Sequence, residues 1–169
     1  MPPRPRAKPG SDPSLTKSES LPFTRTRVVR FRMPSQRDAV AATVDRVLAA
    51  VKDVRLGAGR RQDLAVAVSE ALSNAAVHGN GLRRESQVLV TVEVTPETRA
   101  VVDVWDSGGG FNVSRLSDPT EADRLLAPAG RGVFLMEQLV DEVRYNKKGN
   151  RVRLTMERRR RRAPRPSSR

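Results

Sequence analysis

The order of hydrophobic periods along this chain predicts an α/β fold. A short alternating segment comes first, then two segments with helical spacing. An alternating segment and a valine-rich one follow, then a third helical segment and a closing alternating pair. With 169 residues and 37% hydrophobic side chains, the chain can bury the core of one domain. This order suits helices on one face of a mixed, mostly antiparallel sheet.

Residues 1–24 hold six prolines and few apolar side chains, which predicts a disordered tail. Arg25 to Met33 alternates well enough for an edge strand. Pro34-Ser35 opens a helix in which Val40, Val44, Val47, Leu48 and Val51 share one stripe. Leu56-Gly57-Ala58-Gly59 breaks it. The second helix is predicted from about Arg60 to Val77 and ends at His78-Gly79-Asn80-Gly81. Its core stripe is Leu64, Val68, Ala71, Leu72 and Ala75. At ~100° per residue, Asp63, Ala67, Glu70, Asn74 and His78 form a separate, largely polar seam.

Val88, Val90, Val92 and Val94 alternate with Leu89, Thr91 and Glu93, and Thr95-Pro96-Glu97-Thr98 makes a turn. The next strand is Ala100 to Trp105. Counting by two puts Asp106 on the face of Val102 and Val104. A carboxylate that continues an apolar strand face needs a partner. Residues 112–129 read as a loop with one short helix. Gly132 to Val140 is apolar almost all round and is expected to be a buried helix. Glu142 to Asn146 and Arg151 to Met156 form a hairpin about Lys147-Lys148-Gly149-Asn150, with Val143, Tyr145, Val152, Leu154 and Met156 inward. The domain is therefore expected over 25–157, with 158–169 a disordered Arg-rich tail.

No apolar stretch approaches the ~18 residues of a spanning helix, and the chain has no cysteine. Disulfides and thiol metal sites are excluded. Met1-Pro2-Pro3-Arg4 lacks the apolar run of a signal peptide, so a cytoplasmic protein with no membrane contact is expected. The net charge is +13, of which residues 1–24 carry +2 and residues 151–169 carry +8. Basicity is thus mainly a tail property. Without interleaved aromatics, the Arg run is read as a solvated tail, and any nucleic-acid binding would rest on it alone.

Three clusters carry chemistry. Ser69-Glu70-Ala71-Leu72-Ser73-Asn74-Ala75 lies inside the second helix. Glu70 and Asn74 are one turn apart on one face. An Asn oxygen can hold Mg²⁺ without adding charge beside a triphosphate, and a carboxylate can take a proton from an attacking hydroxyl. An ordinary helix surface carries the same two residue types. Asp106-Ser107-Gly108-Gly109-Gly110-Phe111 follows a strand. Asp106 can accept an adenine N–H, while Gly108 and Gly110 allow close approach of a nucleotide. A hairpin turn closed by an Asx bond would look similar. Gly130-Arg131-Gly132 precedes a predicted helix start, where backbone N–H groups bind phosphate, and Arg131 can meet a phosphate oxygen. His78 is the only histidine and reads as a helix-end residue, since one histidine makes no metal site.

In this order the clusters resemble the N, G1 and G2 boxes of the superfamily of gyrase, chaperone, histidine-kinase and mismatch-repair ATPases. Leu64 to Asn80 and Gly130 to Tyr145 resemble the anti-sigma-factor serine kinase family of RsbW type, over about residues 25–157. The resemblance implies a two-layer α/β sandwich of Bergerat type, and ATP and Mg²⁺ as cofactors. It implies Glu70 as general base, Asn74 as Mg²⁺ ligand and Asp106 as adenine acceptor with Gly108 and Gly110 around it. It further implies Gly130, Arg131 and Gly132 at the phosphates, and 112–129 as an ATP lid. The implied function is a protein serine/threonine kinase that phosphorylates a serine of a STAS-type anti-anti-sigma partner and sequesters a sigma factor. The alternative is an ATP-dependent module that binds its partner without phosphorylating it. A sensor-kinase fragment would lack its phosphoacceptor helix, and gyrase-type ATPases need a transducer domain for which there is no room. Homodimerisation is left open.

Overall fold

Alternating valines build the sheet. The computed structural model describes residues 25–113 and 128–158. In chain order the elements are β1 (Arg27–Pro34), α1 (Ala39–Ala50), α2 (Ala58–Asn74), β2 (Gln87–Thr95), β3 (Arg99–Trp105), α3 (Pro128–Leu139), β4 (Glu142–Tyr145) and β5 (Arg151–Glu157). The strands lie in the order β1-β2-β3-β5-β4. All four described pairings are antiparallel, where a mixed, mostly antiparallel sheet was expected. Strand β1 is an edge, as its weak alternation predicted.

The register lines up apolar rows on one face. One row is Phe31, Val90, Val104, Val152 and Tyr145, and the next is Val29, Val92, Val102, Leu154 and Val143. Val88, Val90, Val92 and Val94 are all buried, as are Val102, Val104 and Leu154. Each fully buried valine contributes about 1.5–3 kcal/mol. The helices close over this face, with α2 packed against both α1 and α3. Leu64, Val68, Ala71, Leu72 and Ala75 are buried along α2, the expected stripe. On α1 the buried positions are Val40, Thr43, Val47 and Ala50, while Val44 and Leu48 are only partly covered. Arg27 Nη2 donates to Ala50 O at 2.7 Å and pairs with Asp53, placing a cation at the carbonyl end of α1.

Among the described residues the opposite face is open and mixed. Asp103 is buried there, bonded to Arg151 at 3.0 Å and Arg153 at 2.7 Å. Burial pushes its carboxyl up, but hydrogen bonds and charge from Arg153 and Arg151 together outweigh this and hold it below the usual range. Trp105 pairs across strands with Leu89 and Arg151 and remains 47% exposed.

Four boundaries differ from expectation. Helix α1 begins at Ala39 rather than at Pro34-Ser35, because Pro34 still pairs with Gln87 and Ser35 N–H donates to Ser86 O. Helix α2 begins at Ala58, so Gly59 lies inside it, and it does not run on to Val77. A π turn over Ala75–Gly79 ends it. Helix α3 starts at Pro128, a residue whose fixed φ suits a first helical position. Gly130 and Gly132 therefore lie within the helix instead of before it. Finally, α3 is not buried all round. Met136 and Val140 face the core, while Phe134 and Leu135 are exposed, because packing on α2 and the sheet uses one side of the helix. At the other end, Arg158 N–H donates to Thr98 O at 2.7 Å and so still belongs to the fold's hydrogen bonding. The two expected disordered tails, apart from Arg158, and residues 114–127 of the expected lid lie outside the described residues.

Candidate functional site

Helix α2 carries the first half of the site. Asp63, Glu70 and Asn74 are half-buried along the predicted seam, His78 is exposed and Ala67 is buried. The seam is thus interrupted by buried Ala67 and is continuous in polar residues only from Glu70 onward. Glu70 faces Gly132 of α3, and a Cβ at position 132 would overlap the Glu70 carboxyl. Gly132 is small because α3 crosses over that carboxyl. Glu70 and Gly132, 62 residues apart in sequence, are therefore brought into contact. Both Glu70 and Glu137 also act on Tyr145, whose phenol is pushed up first by burial and then by these two charges.

The π turn delivers the chain to the second half. Its closing bond runs from Asn80 N–H to Ala75 O at 2.8 Å. Gly79 then abuts Asp106, where a Cβ would fall inside the carboxyl group, and Gly108 abuts Gly79 O in the same way. Asp106 Oδ1 accepts Gly108 N–H at 2.8 Å. Burial pushes the Asp106 carboxyl above its usual range, opposed by the Gly108 and Asp106 backbone N–H groups and by the charge of Lys148. Asn150 holds the Asp106 backbone from the other side. Its N–H-bearing Nδ2 donates to Asp106 O at 3.1 Å, and its own carbonyl accepts Asp106 N–H at 3.0 Å.

The glycine turn is locked to the β4–β5 hairpin. Gly110, at φ 76°, packs on Lys148 O, and Gly149, at φ 74°, packs on Phe111 O. Phe111 meets Tyr145 edge to face at 5.2 Å. Arg131 is exposed on α3. Because Gly132 lies in the helix, the N–H groups of α3 without helical partners are those of its first residues, Ala129 and Gly130.

Sequence reasoning missed Gly79, Asn80, Lys148 and Asn150. The signal existed for Gly79 and Asn80, which close the polar seam, but a glycine and an asparagine after a helix also read as an ordinary end. Among the described residues no group of three His, Cys, Asp or Glu side chains is placed to hold a metal. A Mg²⁺ ion here would need oxygen from Asn74 together with the oxygens of a bound phosphate chain, a donor set that fits this hard cation.

The sequence pattern of the histidine kinase-like ATPase domain matches residues 33–156. The chain belongs to this family. Family membership makes ATP the ligand class. The ATPase domain is 28% identical over 145 residues to the anti-sigma F factor of Clostridium acetobutylicum, covering 84% of this chain and 87% of that protein. It is 35% identical over 101 residues to the serine-protein kinase RsbW of Bacillus subtilis, covering 56% of this chain and 62% of that one. In fold it is similar to the crystal structure of the RsbU and RsbW domains of a Mycobacterium tuberculosis protein. The TM-score is 0.53 at 16% identity, over 79% of this chain and 32% of that longer one. That likeness supports the α/β sandwich. No helix among the described residues is long and apolar enough to cross a membrane.

Proposed function

We propose that this ATPase domain is a serine-protein kinase and anti-sigma factor, which uses ATP and Mg²⁺ to phosphorylate a serine of a small anti-anti-sigma protein and sequesters a sigma factor. The names of its relatives support both halves of this reading. The observation that carries the chemistry is the array along α2 and the π turn that ends it. Glu70 lies at one end, Asn74 one turn on, and Asp106 abuts Gly79 of the π turn at the other. At no more than ~1.5 Å rise per residue, Glu70 to Gly79 spans at most about 14 Å, a length of the order of an extended nucleoside triphosphate.

In this reading Asp106 accepts the adenine exocyclic N–H through Oδ2, since Oδ1 is committed to Gly108. Gly108 and Gly110 let the base approach the backbone. The first turn of α3 faces the phosphates with the N–H groups of Ala129 and Gly130 and with the Arg131 guanidinium, and Gly132 follows directly behind it. Asn74 holds Mg²⁺, which neutralises charge on the phosphate chain when bound. Glu70 takes the proton from the partner's serine hydroxyl as its oxygen bonds to the γ-phosphorus, and the bond to ADP breaks. Gly132 keeps the Glu70 carboxyl close to that end of α3.

The broader of the two sequence matches is to a protein named for its anti-sigma action alone. It favours a second reading, an ATP-dependent module that traps a partner without transfer. Incubation with γ-labelled ATP, Mg²⁺ and candidate anti-anti-sigma proteins separates the two. Label on a partner serine supports the kinase. Nucleotide-dependent binding of both partners with no transfer supports the module.

A further inference from the structure

Beside the Asp106 turn lies a buried amide to which the proposed chemistry assigns no role. Asn80 is 0% exposed. Its Nδ2 donates to Ser35 Oγ at 2.7 Å. Its Oδ1 accepts Ser107 N–H at 2.9 Å and shares a 2.8 Å hydrogen bond with Ser107 Oγ. One side chain thus ties the segment before α1, the end of α2 and the residue after Asp106.

The position needs a donor on one side and an acceptor on the other, in one short planar group. Among side chains of this size only asparagine supplies both. A buried amide is costly unless bonded, so the three contacts stand or fall together. The π turn sets the geometry. Bonds from Asn80 N–H to Ala75 O and from Leu82 N–H to Ala76 O add residues to the last turn of α2. An α-helix continued to residue 80 would rotate Gly79 and Asn80 by different angles and aim Asn80 away from Ser107. As built, Gly79 receives the Asp106 carboxyl and the next residue fastens Ser107.

We propose that Asn80 is a positioning residue for nucleotide selection: by holding Ser107 to the end of α2, it fixes the direction of the Asp106 carboxylate and so the preference for adenine over guanine. This rests on the reading of Asp106 as the adenine acceptor. Asn80 touches no nucleotide in this scheme. It acts through Ser107, and Ser35 acts through Asn80.

The test measures ATP and GTP dissociation constants by calorimetry, with Mg²⁺, on the full chain and on Asn80→Ala, Ser35→Ala and Asp106→Asn. Thermal midpoints are recorded for each. Selectivity is expected to fall about tenfold in Asn80→Ala and about threefold in Ser35→Ala, from the loss of buried hydrogen bonds. Ser35 lies 45 residues from Asn80 in sequence and its hydroxyl accepts the Asn80 amide, so a selectivity change there reports the strut. If Asn80→Ala does not fold, Ser35→Ala carries the test. A purely structural role would lower the midpoints and leave the ATP/GTP ratio native, which overturns the proposal. If Asp106→Asn keeps native selectivity, the adenine reading itself fails and the proposal with it. If Asp106→Asn loses selectivity while Asn80→Ala and Ser35→Ala keep it, only the role of Asn80 is refuted.

Discussion

Gly79, Gly108 and Gly132 each sit where a methyl group would overlap a carboxylate or a backbone carbonyl. They permit contacts that larger residues would forbid. Gly132→Ala should push the Glu70 carboxyl aside while leaving the adenine end intact. Phosphotransfer should then fall more than ATP affinity, which a comparison of kcat with the ATP dissociation constant measures. Glu70 and Asn74 should separate in the same way. Glu70→Gln keeps shape and a carbonyl oxygen but accepts no proton, so ATP binding should persist while serine phosphorylation slows by ~10²–10⁴-fold. Charge and positioning carry much of phosphoryl transfer, which favours the lower end of that range. Asn74→Ala should abolish the Mg²⁺-dependent part of nucleotide binding. Native-rate phosphorylation by Glu70→Gln would remove Glu70 as the base. Asp106→Asn replaces an acceptor with a donor and should weaken ATP binding by more than tenfold, about 1.5–3 kcal/mol for a charged hydrogen bond. Equal ATP and GTP affinity in the native protein would refute the assignment of Asp106.

Among the elements, α2 and β3 show what patterning reveals and what it hides. The apolar stripe of α2 was legible because burial repeats every three to four residues, and β2 because it repeats every two. Strand β3 is buried on both faces from Ala100 to Val104, and its valine-rich run marked it instead. The π turn was not, since it depends on where Ser107 and Asp106 arrive from another strand. The start of α3 was hidden for a related reason. Gly130 and Gly132 look like a loop, yet both lie in α3, and at Gly132 the Glu70 carboxyl fills the space a side chain would take. Of the site, Glu70, Asn74, Asp106 and the glycines were legible as motif residues. Their supports Asn80, Asn150 and Lys148 were not, because their roles arise from contacts across the fold. Strand β3 also predicts a pH response. The pKa of Asp103 is lowered in the folded protein, so its ion pairs add stability above the ordinary carboxylate range, about pH 5 and up. That stability is lost as pH falls through the lowered pKa. Denaturant titrations of native protein and Asp103→Asn should therefore differ most near neutrality and converge in acid. A gap that stays constant with pH would contradict this.

At the scale of the whole molecule, charge and fold are separable. Residues 25–150 carry only +3 of the +13. Arg158 N–H is bonded to Thr98 O and its guanidinium reaches Glu97, so the fold's hydrogen bonding extends at least to Arg158. Removing residues 159–169 should leave ATP affinity and thermal stability unchanged, and should weaken only salt-sensitive attraction to acidic partners. Loss of nucleotide binding in that truncation would move the boundary outward. The open face of the sheet has one more consequence, an optical one. The chain has a single tryptophan, Trp105, half in water and covalently joined to Asp106. Its emission is free of contributions from any other indole. Any event that shifts the Asp106 turn or covers that face changes the polarity around one fluorophore, so the native protein carries its own spectroscopic reporter without a label.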